Sequence, residues 1–300
     1  MSNIPPVSRW KQIEGVRCAL GEGPVWHSDH GLFYWTDIDR GHIHSFDPAT
    51  GQTQKVYEGP KVGGFTIQRN GNLLLFQDKG AVTEWASGQL IPILREIEKD
   101  RHGRFNDVIA DPEGRVFCGT MFEGGAKGRL YRLDTNAGLH QVFDGVGCSN
   151  GMGFSPDLRT HYFIDSPTHR VDACDYDRAT GEVTNRRAFI EVPNEQGAPD
   201  GMTVDAEGCL WVAFWGGFGV RRYDPTGKEI EYVRFPSEKV TSIAFGPPEL
   251  GLAMVTSAGA DHESATEHSG AIYLFEPGVA GVPEFRSNIA PKPAKTVGDR

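Results

Sequence analysis

The sequence of 300 residues predicts an all-β fold, a six-bladed β-propeller with four antiparallel strands in each blade. Three observations support this prediction. An apolar strand, a polar turn and a second apolar strand recur six times along the chain. The copies begin at residues 24, 65, 108, 152, 202 and 243, and their spacing of 41 to 50 residues matches one four-stranded blade. No long amphipathic helix separates the strands, which argues against an α/β fold.

Each copy contains two hairpins, which accounts for the four strands. The first hairpin turns at Asn-Gly or at Asp-x-Glu-Gly, as in Phe65–Phe76 and Met202–Val212. The second turns at a polar, glycine-containing segment, as in His42–Tyr57 and Val220–Ile230. The segment Leu94–Asp100 predicts at most a short helical turn.

The charge balance excludes several classes of partner. The chain has 30 Lys and Arg residues against 40 Asp and Glu residues, a formal net charge of -10, and no basic cluster. We therefore expect no nucleic-acid partner, because phosphate backbones attract clustered positive charge. Neither a bilayer-length apolar segment nor a signal-like N-terminus is visible, so we expect no membrane partner and a cytoplasmic location. Five cysteines without a Cys-x-x-Cys pair predict reduced, mostly buried thiols.

The repeat predicts a ring with a central channel. We expect one domain over residues 1–300, with chain ends that meet where the ring closes and a frayed tail at about residues 289–300. We expect a monomer or a weak homo-oligomer. In a propeller, residues at equivalent repeat positions converge on the axis even when they are far apart in sequence.

The residues just before the first strand of each repeat are predicted to face this channel. Oxygen-bearing side chains occur there at Glu22, Asn106 (followed by Asp107), Asn150 and Asp200. Two carboxylates and amide carbonyls at one phase of the repeat suit a hard divalent cation. The alternative is ordinary turn chemistry, because Asn-Gly and Asp-Gly are common in turns.

A series of short motifs runs in order from residue 20 to about residue 255. They include Leu20–Trp26 (LGEGPVW), Arg104–Asp107 (RFND), Asp111–Arg115 (DPEGR), Gly119–Met121 (GTM), Ser149–Gly151 (SNG), Pro199–Met202 (PDGM), Asp205–Gly208 (DAEG) and Leu210–Val212 (LWV). With these motifs the sequence resembles the family that contains regucalcin (senescence marker protein), gluconolactonase and the sugar-lactone lactonases. The resemblance covers nearly all of the chain. The stretch Trp215–Gly219 also looks like one found in pentonolactone-hydrolysing members.

The resemblance implies one divalent cation on the axis of a six-bladed propeller. The metal ligands of the family fall on Glu22, Asn150 and Asp200. Its substrate-binding residues fall on Arg104, Asn106 and, in a weaker match, Glu123. The metals of the family include calcium, zinc, magnesium, manganese and iron(II), so the resemblance leaves the identity of the cation open.

The activity implied is metal-dependent hydrolysis of a sugar lactone to the aldonic acid. The substrate would be an aldonolactone, such as glucono-, xylono- or arabinonolactone. Asp200 is the expected general base, because a carboxylate beside the cation can accept a proton from water. Two alternatives stay open. One is an arylesterase or organophosphate hydrolase on the same propeller, and the other is a non-enzymatic calcium-binding scaffold.

Two side-chain questions concern the rim of the site. Arg104 either binds substrate or forms a surface ion pair with Asp100 or Glu98. Trp215 and Phe218 lie in a glycine-rich aromatic segment that could line the pocket.

The ten histidines are scattered and match no metalloprotease motif. His42 and His44 alternate along a strand and share one face, but the sequence shows no third ligand beside them. His169 is expected to pack in the fold or to lie on the surface.

Overall fold

A computed structural model describes residues 9–259 and 266–290. Within these ranges, six four-stranded antiparallel sheets form the blades, and the predicted six-bladed β-propeller is confirmed. The described helical segments are the 3-10 turns Glu98–Asp100, Ser166–Thr168 and Asn194–Gln196. In the described part of the chain, no helix is long and apolar enough to cross a membrane.

The strands of each blade follow one another from the axis outward. Blade 1 contains β2 (Gly21–His27), β3 (Leu32–Asp37), β4 (His42–Asp47) and β5 (Gln52–Glu58). Blade 2 contains β6 (Val62–Ile67), β7 (Leu73–Gln77), β8 (Val82–Ala86) and β9 (Gln89–Leu94). Blade 3 contains β10 (Arg104–Ala110), β11 (Val116–Met121), β12 (Gly128–Leu133) and β13 (Leu139–Val146).

The second half of the ring repeats this order with one exception. Blade 4 contains β14 (Ser149–Phe154), β15 (Thr160–Asp165), β16 (Arg170–Asp177) and β17 (Glu182–Glu191). Blade 5 contains β18 (Ala198–Val204), β19 (Leu210–Trp215), β20 (Gly219–Tyr223) and β21 (Glu229–Arg234). Blade 6 contains β22 (Val240–Gly246), β23 (Leu252–Ser257), β24 (Tyr273–Phe275) and, outermost, β1 (Trp10–Gln12).

The exception in blade 6 closes the ring. Its outermost strand β1 comes from the beginning of the chain, and Lys11 pairs with Leu274 in an antiparallel ladder. The innermost strands contact one another in a closed series from β2 through β6, β10, β14, β18 and β22 back to β2. Backbone hydrogen bonds therefore join β1, near the N-terminus, to blade 6, and the six innermost strands form a closed ring around the channel.

One apolar cluster fills each of the six interfaces between neighbouring blades. Between blades 2 and 3, the rings of Phe76 and Phe105 meet edge to face with centroids 5.3 Å apart. Between blades 5 and 6, Trp211 and Tyr273 are fully buried. Since burial of one such side chain contributes about 1.5–3 kcal/mol, these interfaces hold the innermost strands in position.

The C-terminal segment crosses the face on which the first hairpins turn. The backbone N–H of Ser287 donates to the carbonyl of Ile67, and that of Asn288 donates to Gly114. Ile289 is buried, and its N–H donates to the side-chain oxygen of Gln68. The predicted frayed tail therefore does not begin at 289, and residues 291–300 lie outside the described part of the chain.

The Asp-x-Glu-Gly turns are held by their aspartates. The Asp205 carboxylate is fully buried and accepts the backbone N–H groups of Glu207 and Cys209, both at 2.9 Å. It also accepts the indole N–H of Trp211 and the Nε–H of Arg222, again at 2.9 Å. One side chain thus joins the hairpin turn to the core of its own blade.

We expect Asp205→Ala to lower the free energy of unfolding by about 3 kcal/mol, because it leaves buried donors and a cation without their acceptor. Chemical denaturation measures the difference. The matched control is Asp224→Ala, in the more exposed second turn of the same blade, where the loss should be about 1 kcal/mol or less. Equal losses in the two variants would contradict this role for Asp205.

Candidate functional site

All six predicted site residues line one cavity of about 580 Å³ at the end of the channel where the innermost strands begin. They are Glu22, Arg104, Asn106, Glu123, Asn150 and Asp200. A second cavity of about 380 Å³ lies farther along the same strands, and residues 282–285 form part of its wall. The first cavity is on the face opposite the Asp-x-Glu-Gly turns.

A β-bulge in each innermost strand positions the site side chains. In β14 the regular pairing is interrupted between Ser149 and Met152, so Asn150 lies within the bulge. The same irregularity contains Asn106 in β10 and Asp200 in β18. An extra residue in a strand changes the direction of its side chain, and here the repeated bulge directs three polar side chains into the channel.

Glu22 lies one residue earlier in its repeat than Asp200 does, whereas the repeat predicted equivalent positions. Asp200 lies two residues before Met202, the first regularly paired residue after its bulge, whereas Glu22 lies three before Val25. Gly23 occupies the position equivalent to Asp200 and has a φ of 51°, a left-handed conformation that glycine adopts without strain. Because glutamate is one methylene longer than aspartate, the Glu22 carboxylate still reaches the common cavity.

A directional chain of hydrogen bonds orients the amides of the site. Arg104 donates from Nη1 to Asn106 Oδ1 at 2.5 Å, and since arginine only donates, the amide oxygen of Asn106 must face it. Asn106 Nδ2 then donates to Asn150 Oδ1 at 2.7 Å, and Asn150 Nδ2 donates to Ser166 Oγ at 2.7 Å. The hydroxyl of Ser166 donates to the carbonyl of Pro199 at 2.6 Å. This series of hydrogen bonds fixes the orientation of the Asn150 side-chain amide, because its oxygen must face Asn106 and its nitrogen must face Ser166.

Burial dominates the electrostatics of the two carboxylates. Glu22 and Asp200 are each 4% exposed. Burial raises the pKa of Glu22 well above its usual range, and repulsion from Asp107 raises it further. The pKa of Asp200 is raised by burial, then by the charges of Glu22 and Asp107. Arg104 favours the ionised forms of both, but its effect is smaller than that of burial.

Asp107 is a third acidic residue in the channel. The sequence predicted this location but no function for it. Asp107 is partly buried and lines the second cavity. Burial raises its pKa to about 7, and Arg104 opposes this shift. Glu22, Asp107 and Asp200 therefore lie along the channel, and the positive charge of Arg104 partly balances them.

The side chains fit a hard divalent cation. Among the described residues, the ion pairs include neither Glu22 nor Asp200, so both buried carboxylates lack a close positive partner. The amide oxygen of Asn150 has one hydrogen bond and keeps a second acceptor position. Carboxylate and amide oxygens are the donors that calcium and magnesium take in proteins. Glu22, Asn150 and Asp200 are therefore suitable ligands, by chemistry and by location.

Arg104 belongs to the cavity and not to a surface ion pair. Asp100 is buried and instead accepts hydrogen bonds from Arg129 at 2.7 Å and from the Tyr131 hydroxyl. The Nη1 group of Arg104 donates hydrogen bonds to Asn106 Oδ1 and to the carbonyl of Phe105. Within the described residues this leaves the Nη2 and Nε hydrogens available to a ligand.

Several cavity residues were not identified from the sequence. His169 was expected to pack or to lie on the surface, but it lines the cavity together with Ser166, Pro167 and Cys148. Sequence signals for these residues were weak, because the segment 166–169 follows the second strand of its blade and does not occupy the repeat position of the other site residues.

The two aromatic residues considered for the pocket rim lie in different places. Trp215 lines the cavity, whereas the Phe218 ring lies outside it, beneath the guanidinium of Arg234.

The sequence model of the family described as "SMP-30/Gluconolactonase/LRE-like region" matches residues 20–259. Pentonolactonase XacC of Haloferax volcanii is 45% identical over 286 residues, which cover 93% of this chain and 98% of that protein. Regucalcin of Xenopus laevis is 36% identical over 277 residues, covering 88% of this chain and 93% of that protein.

Solved structures agree with the sequence relatives. Regucalcin from Agrobacterium tumefaciens, described as a calcium-binding protein, superposes with a TM-score of 0.85 at 26% identity. The match covers 97% of this chain and 100% of that one. The matched region 20–259 includes every residue of the axial site, and the chain belongs to the SMP-30/gluconolactonase/LRE-like family.

Proposed function

We propose that this chain catalyses the metal-dependent hydrolysis of a sugar lactone to the corresponding aldonic acid. The observation that carries the proposal is the meeting of two buried, unpaired carboxylates with an amide oxygen and an arginine in one open cavity. The 45% identity with a pentonolactonase supports the substrate class and favours a pentonolactone. The cavity of about 580 Å³ has room for a single sugar ring.

Glu22, Asn150 and Asp200 would hold the cation. A divalent ion bound there would polarise the lactone carbonyl as a Lewis acid. It would also stabilise the ionised form of Asp200, whose pKa is otherwise raised by burial. This matters because a protonated aspartate cannot act as a base.

Asp200 would then take the proton from the attacking water. The water oxygen forms a bond to the carbonyl carbon, and the carbon–oxygen bond of the ring breaks. The proton passes to the departing ring oxygen, which becomes a hydroxyl of the aldonic acid. Asp200 ends the cycle ionised, so no further reactant is needed.

Arg104 and Asn106 would orient the substrate. The Nη2 and Nε hydrogens of Arg104 can form a paired hydrogen bond with sugar hydroxyls or with the developing oxyanion. Asn106 is 4% exposed and hydrogen-bonded to Arg104, Ser149 and Asn150, so its part in substrate binding would be to fix Arg104 and Asn150. Glu123 lies at the exposed rim, where it can accept a hydrogen bond from a hydroxyl.

Kinetics on a panel of substrates distinguish this activity from the alternatives. We expect pentono- and hexonolactones to be hydrolysed far faster than aryl esters or phosphotriesters. A preference for aryl esters would favour the arylesterase interpretation. Hydrolysis no faster than the spontaneous reaction would favour a calcium-binding scaffold. The cytoplasmic location and the monomeric or weakly oligomeric state stay predictions.

Chelation should abolish lactone hydrolysis. Metal-free protein reconstituted singly with calcium, zinc, magnesium, manganese or iron(II) should regain activity with at least one ion, because the ligand set accepts several. Initial rates on the lactone panel give the preferred cation. Full activity of protein shown by elemental analysis to be metal-free would contradict the proposal.

Asp200→Asn should reduce kcat/KM at least about 100-fold, because the general base and one charge of the cation site are lost. Far-UV circular dichroism should be unchanged, since asparagine occupies the same volume. Assays at saturating cation separate a loss of the base from weaker metal binding. Asp224→Asn, on the outside of the same blade, is the control and should retain activity. Near-wild-type turnover of Asp200→Asn would show that Asp200 is not the base.

The raised carboxylate pKa values predict an unusual pH dependence for the metal-free protein. Above about pH 4 to 5 the unfolded chain loses protons that folded Glu22 and Asp200 retain, so stability should fall as pH rises toward 8. Calorimetry in chelator at pH 5 to 8 measures the trend in Tm. Saturating calcium should reduce it, because the cation favours the ionised carboxylates.

Glu22→Gln is the matched variant for this effect. It removes one of the interacting acids, so the decrease in Tm with pH should be smaller than in the wild type. The same slope in both proteins would show that Glu22 does not contribute to the pH dependence.

A further inference from the structure

A second group of metal-ligating side chains lies in blade 1, outside the axial site. It consists of Asp37, His42 and His44, whose ligand atoms all lie within 4.8 Å of one another. Asp37 pairs directly with His42 between β3 and β4, and His44 follows two residues later. Directly opposed residues and residues two apart share one face of a sheet, so all three side chains are on the same side. Asp37 is thus a potential third ligand beside the two histidines, and the sequence did not reveal it.

Asp37 is rigidly held by the backbone. The carboxylate is fully buried, its Oδ1 accepts the N–H of Leu20 at 3.0 Å and its Oδ2 accepts the N–H of Ala19 at 3.1 Å. Arg40 donates to the same Oδ2 at 2.9 Å. A carboxylate offers about four acceptor positions, so one stays open, on Oδ1. Hydrogen bonds of this kind orient a carboxylate toward a cation.

The two imidazoles are positioned by ring contacts. His44 stacks on the fully buried Trp35, with centroids 5.4 Å apart and planes 16° from parallel. His42 meets His44 edge to face at 5.8 Å. No hydrogen bond from another described residue occupies a ring nitrogen of either histidine. Both side chains are partly exposed, so an ion can reach them from solvent.

We propose that Asp37, His42 and His44 form a second cation site, selective for a borderline transition-metal ion such as Zn²⁺. Two imidazoles and one carboxylate suit zinc and its neighbours, whereas the oxygen donors on the axis suit harder ions. With bonds of about 2.0–2.1 Å, tetrahedral ligand atoms are about 3.3 Å apart, so the side chains must close by roughly 1.5 Å or less. The competing cation is Arg40, whose ion pair with Asp37 Oδ2 weakens the attraction of the carboxylate for an ion at Oδ1.

The position of the group indicates a structural and not a catalytic effect. Asp37 binds the N–H of Leu20, two residues before Glu22 of the axial site. The turn between β3 and β4 contains Asp39, which lines the axial cavity. An ion on the second site would therefore tie this hairpin to the segment that enters the channel, and it should stabilise the fold.

Zinc binding can be measured without relying on activity. Wild-type protein saturated with calcium is titrated with Zn²⁺ by calorimetry at pH 7.5, and Co²⁺ absorption bands report imidazole coordination. We expect one Zn²⁺ per chain and a rise in Tm. His44→Phe keeps a ring stacked on Trp35 and removes both nitrogens, so zinc affinity should fall about 10- to 100-fold. His42→Gln should give a similar loss.

Arg40→Gln should change the zinc affinity in the opposite direction. It removes the cation that competes for Asp37, so zinc should bind more tightly than to the wild type. His140→Gln, at an exposed histidine in blade 3, is the control and should leave zinc affinity unchanged. Asp200→Asn should also leave this zinc site intact, which separates it from the axial one.

Two results would overturn the proposal. One is zinc affinity that is unaffected by both His44→Phe and His42→Gln. The other is a single zinc site that disappears in Asp200→Asn, which would place the ion on the axis.

Discussion

The burial of two unpaired carboxylates on the axis is the constraint on which the rest of this structure depends. Glu22 and Asp200 are each 4% exposed, and no lysine or arginine of the described residues forms an ion pair with either. Burial of a charge without a partner costs on the order of several kcal/mol. Favourable interactions elsewhere in the fold must offset this cost. The two carboxylates either remain protonated or bind a cation. A site maintained at such a cost is typical of function.

The ring provides the necessary rigidity. Six apolar interfaces lock the blades together, and the pairing of β1 with β24 joins the two ends of the chain. Neighbouring innermost strands approach closely: a side chain at Gly201 would meet Ser242 Oγ at 2.3 Å. Because the blades pack this closely, the strands that carry the polar side chains are held at fixed positions around the channel. The same packing that stabilises the protein therefore keeps the two buried carboxylates close enough to repel each other.

Hydrogen bonds complete the site by assigning donors and acceptors. The chain from Arg104 through Asn106 to Asn150 begins at a group that can only donate, so every later amide has one orientation. The blade 1 group is built differently, because aromatic stacking and strand register place its histidines. The propeller thus has two groups of potential metal ligands that differ in hardness. The axial group has oxygen donors, and the group at the β3–β4 hairpin includes two imidazole nitrogens.

The sequence alone determined the architecture and most of the axial site. Strand alternation and hairpin turns are local properties, and their repetition indicated six blades and the convergence of Asn106, Asn150 and Asp200. The resemblance added Arg104 and Glu123. Local patterns could not show the one-residue shift of Glu22, because a bulge is defined by pairing with another strand.

Only the tertiary structure decided the contacts between distant residues. His169 and Ser166 reach the cavity because their segment folds back beside blade 5, and no repeat position indicates this. Asp37 becomes a neighbour of His42 and His44 only through the register of β3 and β4. The physical reason is the same in both cases. Periodicity shows which face of a strand is buried, whereas side-chain proximity across strands and blades depends on pairing, bulges and packing.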